Sequence, residues 1–241
     1  RGMFQILGIV GLVYVFFYTL FVKQTKPQEE TKEDKSKKNK YFLHLLKFSL
    51  IWKLILCAFC ISCINKGLDA WMPTYLIAER GINLKAVGYL TPIPFIASFL
   101  STAVCGWVMN KYFDKKENWM IVICAALTAI FLYFMYNAET IMWVVIFQCG
   151  VYFFKACILG TAVAIVLKIV TGSIAGSAST LINMGGQVAG FISPIIMGYL
   201  VYAFNGSFNA VFYYLMGVAA LCAISALLIP TRKEDMLDLE K

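Results

Sequence analysis

The stretch KLILCAFCISCINKGLDAWMPTYL, Lys53 to Leu76, decides how the rest of the chain is read. It is long and apolar enough to cross a bilayer, yet it holds Lys66 and Asp69 well inside, with Pro73 just beyond. A charge at the centre of a bilayer costs about 2.5–3.5 kcal/mol on insertion scales. Lys66 and Asp69 are three residues apart, so a helix puts them on one face, where each is expected to neutralise part of the other. Intramembrane charges of this kind face a bundle interior or a water-filled cavity and mark substrate or ion paths. Lys53 lies one turn from the end of its run and is expected to snorkel to the interface instead.

Composition agrees with a membrane setting. Of 241 residues 61% are apolar and 14% charged, with a mean hydropathy of +0.76; soluble domains average about 45–50% and about 25%. Seven apolar runs follow one another, at 2–22, 50–77, 86–110, 119–136, 141–168, 174–204 and 209–229. At about 1.5 Å per residue, each reaches across a hydrocarbon core of about 30 Å. The expected fold class is therefore an all-α polytopic membrane protein. A net charge of +8 would suggest nucleic acid in a soluble protein. Here the cations sit in short connections, where they act as topology signals, and no nucleic-acid partner is expected.

Fifteen Lys and Arg lie in the connections 23–47, 111–118 and 168–173 and after Pro230, whereas the opposite connections hold only Arg80 and Lys85. The positive-inside rule puts the first set in the cytoplasm, with residue 1 outside and the C-terminus inside a cytoplasmic (inner or plasma) membrane. The segment VKQTKPQEETKEDKSKKNKYFLHLLK (22–47) is lysine-rich and cannot bury enough apolar surface to order itself. Four regions result: a first span at 1–22, a cytoplasmic linker at 23–49, a six-helix bundle at 50–230 and a tail at 231–241. With no methionine at the start and no signal-peptide pattern, the chain is expected to be a piece of something longer.

The six later spans divide into triplets whose first members, 50–77 and 141–168, each carry a lysine about fifteen residues in, Lys66 and Lys155. Those two spans run in opposite directions, as in the inverted repeats of secondary transporters, whose sites lie near the midplane. Lys155 is too deep to snorkel, and Gln148 lies two turns before it on the same face. A lysine there suits an anionic ligand; a structural lysine paired with a carboxylate of another helix is the alternative. Asp69 is a candidate for taking up a coupled proton, and an ion pair fixing helix position is its alternative.

In 174–204, Gly186, Gly190, Pro194 and Gly198 recur every four residues as a ridge of small bulk, which lets two helices approach closely. Asn183 and Gln187 fall on a neighbouring face, as readers of ligand hydroxyls or as interhelical glue. Pro92 and Pro94 are expected to break the helix ladder of the third run. Trp71 and Tyr75 read as interfacial belt aromatics, or secondarily as cavity lining. All eight cysteines fall within spans, and the only histidine, His44, lies outside them. Cys57, Cys60 and Cys63 therefore read as small packing residues, and no metal or cofactor is expected beyond a coupling ion, H+ or Na+.

The runs WMPTYLIAERG (71–81), Gly88 and CGWVMNKYFDKK (105–116) resemble the seventh and eighth helices of the major facilitator superfamily. GSIAGSASTLINMGGQVAGFISPIIMGYL (172–200) resembles its eleventh helix. The pattern is most similar to the anion:cation symporter family, whose members carry sugar acids, hexuronates and other organic anions. Organophosphate:phosphate antiporters come second, through GLDAW (67–71) and CGW (105–107), although Asn65 and Lys66 stand where those carry an arginine. The resemblance implies helix six, a central loop and helices seven to twelve, with a six-helix N-terminal half as partner. It also implies a cytoplasmic loop motif carried by Gly106, Asn110, Lys111 and Lys115, with Asn110 in place of the usual acid.

Together these readings describe a secondary transporter that moves a small organic anion by alternating access, coupled to H+ or Na+. Lys66 and Lys155 would attract the anion, and Gln148, Asn183 and Gln187 would read its hydroxyls. A seven-helix receptor shares the span count but not the extracellular cysteine pair. An enzyme is not expected, since no Ser/His, His-cluster or paired-aspartate arrangement occurs in the spans.

Overall fold

A computed structural model describes residues 2–21, 49–114, 116–169 and 175–229. The chain divides into two compact units, residues 1–39 and 40–241. In the first, α1 (Gly2–Phe21) is a single helix, apolar on every side. Its rings pair at one-turn spacing, Tyr14 tilted against Tyr18 and Phe17 stacked on Phe21, both with centroids 6.3 Å apart. The expected linker and C-terminal tail lie outside the described residues, apart from Ser49.

The second unit is built of α2 (Ser49–Ala78), α3 (Leu84–Leu90), α4 (Ile93–Tyr112), α5 (Glu117–Asn137), α6 (Ile141–Ile169), α7 (Ala175–Ala203) and α8 (Asn209–Leu227). With α1, seven helical stretches are long and apolar enough to cross a membrane, and no strand occurs among the described residues. The third apolar run is broken where its prolines stand. α3 ends at Leu90, Pro92 sits at the N-cap of α4, and the Thr91 N–H closes back on the Val87 carbonyl at 2.9 Å. Proline has no N–H to continue the ladder and fits best in a helix's first turn, and here Pro92 and Pro94 fall where α4 begins.

The turn between α2 and α3 is spelled out locally. Gly81 takes φ +65°, a left-handed conformation natural to glycine, and the Ile82 N–H reaches back to the Leu76 carbonyl at 3.1 Å. The Asn83 side chain then caps α3 by accepting from the Ala86 N–H at 2.8 Å.

Two triplets are visible in the packing: α2, α3/α4 and α5, then α6, α7 and α8. The first helix of each triplet packs against the second span of the other, α2 on α7 and α6 on α4. Each first helix also packs on the other triplet's third, α2 on α8 and α6 on α5, while the two third helices pair together. Exchanging the triplets leaves this list unchanged, as an internal repeat requires. α2 and α6 meet each other at the centre, which brings the two lysine-bearing helices side by side.

α7 lies close against α2 because its facing residues are small. A Cβ at Gly186 would meet the Ser62 hydroxyl, one at Gly190 the stem of Lys66, and one at Gly198 the indole of Trp71. The Trp71 Nε1–H donates to the Pro194 carbonyl at 3.0 Å, and the Ser193 hydroxyl donates to the Cys63 carbonyl at 2.8 Å. The cysteines are free thiols, seven buried and Cys149 half-buried, set into the same helix seams. Cys57 and Cys222 join α2 to α8 with sulfurs 3.6 Å apart.

Tyr75 differs from its sequence reading as a belt aromatic. It is buried, its ring meets Phe208 and Phe212 edge-on, and its hydroxyl accepts from Arg80 Nε at 2.8 Å. Trp71 is half-buried against Phe208. Both aromatics join α2 to α7 and α8, because the α2 stripe they share faces those helices rather than lipid.

Candidate functional site

Lys155 sits fourteen residues beyond the start of α6, near its midpoint, and its side chain is only 4% exposed. Its ammonium donates to Asn65 Oδ1 at 2.6 Å and lies 3.6 Å from Asp69 Oδ1, both on α2. It also rests 3.2 Å from the centroid of the Tyr152 ring, one residue short of a turn earlier on α6. The Tyr152 hydroxyl donates to the same Asp69 oxygen at 2.5 Å, and its ring is held edge-on by Phe95 of α4. A cation, a carboxylate, a phenol and a carboxamide thus balance one another in mid-span. An isolated ammonium there would be far costlier than one with a carboxylate, a carbonyl oxygen and a π face around it.

Asp69 pairs differently from the sequence expectation. Asn65 and Asp69 are four apart and share a stripe facing α6, whereas Lys66 is rotated toward α7, its stem against Gly190. Asp69 therefore meets Lys155 and Tyr152, and Lys66 is exposed.

Beside Lys155 opens a cavity of about 340 Å³ between α2, α4 and α6. Its polar lining is Ser62 and Asn65 from α2, Ser98 and Thr102 from α4, and Lys155 itself. Ile61, Leu159 and Val163 supply apolar wall, and the small Ala156 and Gly160 make room on α6. Asp69 and Tyr152 are not on the lining; they stand behind the lysine.

The α4–α6 seam fixes the register of these walls. The Ser101 hydroxyl donates to the Phe153 carbonyl at 2.5 Å and touches the Cys157 sulfur at 3.0 Å. One turn on, the Cys105 thiol donates to the Cys157 carbonyl at 3.4 Å. Ser98 and Thr102 flank Ser101 in sequence, and four-residue spacing stacks them on the adjacent, cavity-facing stripe.

Of the residues singled out in the sequence, Lys155 lines the cavity and Asp69 is its partner. Gln148 is buried beside the Tyr152 hydroxyl and off the lining. Asn183 and Gln187 are exposed on α7 and off the lining too, as is Lys66. Gly106, Asn110 and Lys111 are exposed at the end of α4, where the Lys111 ammonium lies 4.7 Å over the Trp107 ring; Lys115 lies outside the described residues. Nearby, Lys168 at the end of α6 pairs with Glu117 at 2.7 Å and Asp114 at 3.4 Å. Sequence reasoning missed Ser62, Asn65, Ser98, Thr102 and Tyr152. The available signal was the four-residue spacing of Ser98 and Thr102 and that of Asn65 and Asp69.

The family model described as Major Facilitator Superfamily matches residues 1–192. The chain belongs to this superfamily. The chain is 27% identical over 177 residues to the probable galactarate/D-glucarate transporter GudP of Escherichia coli (strain K12), covering 71% of this chain and 38% of that protein. It is 26% identical over 239 residues to the hexuronate transporter of Bacillus subtilis (strain 168), covering 93% of this chain and 56% of the relative. Thus it spans about half the length, or less, of these relatives. The solved structure of a bacterial homolog of the human lysosomal transporter Spinster, inward-facing and unoccupied, superposes with a TM-score of 0.60 at 11% identity. That match covers 93% of this chain and 55% of the other and speaks to the fold. The relatives named here are transporters rather than enzymes.

Proposed function

We propose that the complete protein is a secondary transporter for a small organic anion, a sugar acid or related carboxylate, and that Lys155 holds the carboxylate. One observation carries this: a mid-span ammonium whose open side faces a cavity and whose other sides are occupied by Asn65, Asp69 and Tyr152. The family and the names of the relatives support it. The Lys155–Asp69 pair is neutral when both are ionised, so an arriving anion competes with Asp69 for the ammonium. Protonating Asp69 leaves Lys155 a net cation, which couples uptake of the anion to uptake of a proton. One proton with a monoanion moves no net charge, so uptake draws on the pH gradient, and each net negative charge carried inward works against about 2.3 kcal/mol per 100 mV.

In this reading a six-helix N-terminal half completes the site, and the two halves rock about the bound anion. Lys66, Asn183 and Gln187, exposed on α2 and α7, are polar groups available to that second half or to the anion between them. The basic connections face the cytoplasm. The test is D-glucarate uptake by the complete protein in liposomes under an imposed pH gradient. Lys155→Ala should lower uptake about thirtyfold or more, the scale of removing one member of a buried charge pair. Asp69→Asn should keep binding but lose stimulation by the gradient. Equal gradient stimulation in wild type and Asp69→Asn would remove Asp69 from the coupling.

A further inference from the structure

We propose that the cavity beside Lys155 selects a hydroxylated carboxylate, with Ser62, Asn65, Ser98 and Thr102 as its specificity-determining residues. The proposal rests on the anion-transport reading above, and follows from what each side chain still has to offer. Lys155 has three N–H donors. One goes to Asn65, one into the Tyr152 ring, and the third has only the long 3.6 Å contact to Asp69. A ligand carboxylate takes that third donor. Asn65 spends its carbonyl oxygen on Lys155 and keeps both amide hydrogens.

Ser62 and Ser98 have no hydrogen-bond partner among the described residues, although both are half-buried on the lining. Thr102 donates to the Phe99 carbonyl at 2.7 Å and keeps its oxygen lone pairs. Donors and acceptors are therefore unspent on two of the three walls, with the lysine on the third. A carboxylic acid without hydroxyls satisfies Lys155 but strips water from the other four groups without pairing them, which is unfavourable. A carbon chain bearing hydroxyls pairs with them, and a site wired this way rejects the analogue that lacks them. The Ser101–Phe153 and Cys105–Cys157 contacts hold α4 in register, so Ser98 and Thr102 are fixed where they can do this.

D-Glucarate and adipate are six-carbon diacids of equal length that differ in hydroxylation, and they separate charge recognition from hydroxyl recognition. Equilibrium binding of each to the complete purified protein is read by titration calorimetry. The expected result is tighter binding of glucarate than adipate by wild type. Ser98→Ala with Thr102→Val should weaken glucarate about tenfold, the scale of one to two hydrogen bonds, and leave adipate unchanged. Ser98→Thr and Thr102→Ser, which keep the hydroxyls, should retain glucarate binding, which separates recognition from misfolding. Equal binding of the two diacids by wild type, or equal loss of both in the double variant, overturns the proposal. If Lys155→Gln still weakens both diacids in that case, the anion reading survives alone. If neither diacid responds to Lys155→Gln, the anion reading falls, and the hydroxyl assignment with it.

Discussion

Lys155 shows how a residue prohibited by its solvent is made tolerable. The neighbours that stabilise it come from α2 and from its own helix, and none is adjacent in sequence. Asp69 remains 29% exposed, so its contribution falls below the roughly 3–5 kcal/mol of a fully buried pair. We predict that Asp69→Asn costs about 1–2 kcal/mol of stability. Asp69→Asn with Lys155→Gln, which leaves no charge to compensate, should lie closer to wild type than Lys155→Gln alone. Thermal unfolding in detergent measures both; a double variant less stable than either single would contradict the pairing. The structure places Lys155 on the cavity lining, and that it is a candidate site residue was legible from its depth in an apolar run. Its partner was not, because pairing depends on interhelical register, and the nearest cation to Asp69 in sequence, Lys66, is turned toward α7. Ser98 and Thr102 left only their four-residue spacing as a signal, because hydroxyls in apolar helices commonly bond their own backbone, so one facing a cavity looks like any other.

Between elements, spacing is set by which residue has no side chain. A Cβ at Gly150 of α6 would fall on the Phe131 ring of α5, and that ring is itself packed against Phe147 and Phe154. Gly150→Ala should therefore cost about 1–3 kcal/mol as overpacking. Gly217→Ala, which meets open space on α8, should be neutral or slightly stabilising through helix propensity. Matched melting curves test the contrast, and equal behaviour of the two would contradict the packing of α5 on α6. Hydropathy alone located each span, and Pro92 located the break between α3 and α4. The faces were less readable: apolar residues surround these helices on every side, so lipid-facing and helix-facing stripes differ little in composition. Tyr75 was misread for that reason, and only its neighbours Phe208 and Phe212 show it to be core.

For the molecule as a whole, two triplets packed with exchange symmetry bring α2 and α6 together at the bundle centre, where the candidate site lies. The orientation proposed from the positive residues makes a direct prediction. In a cysteine-free background, Lys116→Cys should react with an impermeant maleimide only from the cytoplasmic side, and Lys85→Cys only from outside. Reversed labelling would invert the topology without disturbing the fold. The central claim concerns Lys155, and counterflow of D-glucarate in liposomes holding the complete protein tests it most directly. Counterflow requires binding and reorientation but no net coupling, so it isolates the anchor from the proton. Wild type should exchange glucarate; Lys155→Ala and Lys155→Ala with Asp69→Asn should both fail to, even where the double variant melts near the wild-type temperature. Undiminished exchange by a folded Lys155→Ala protein would contradict the account.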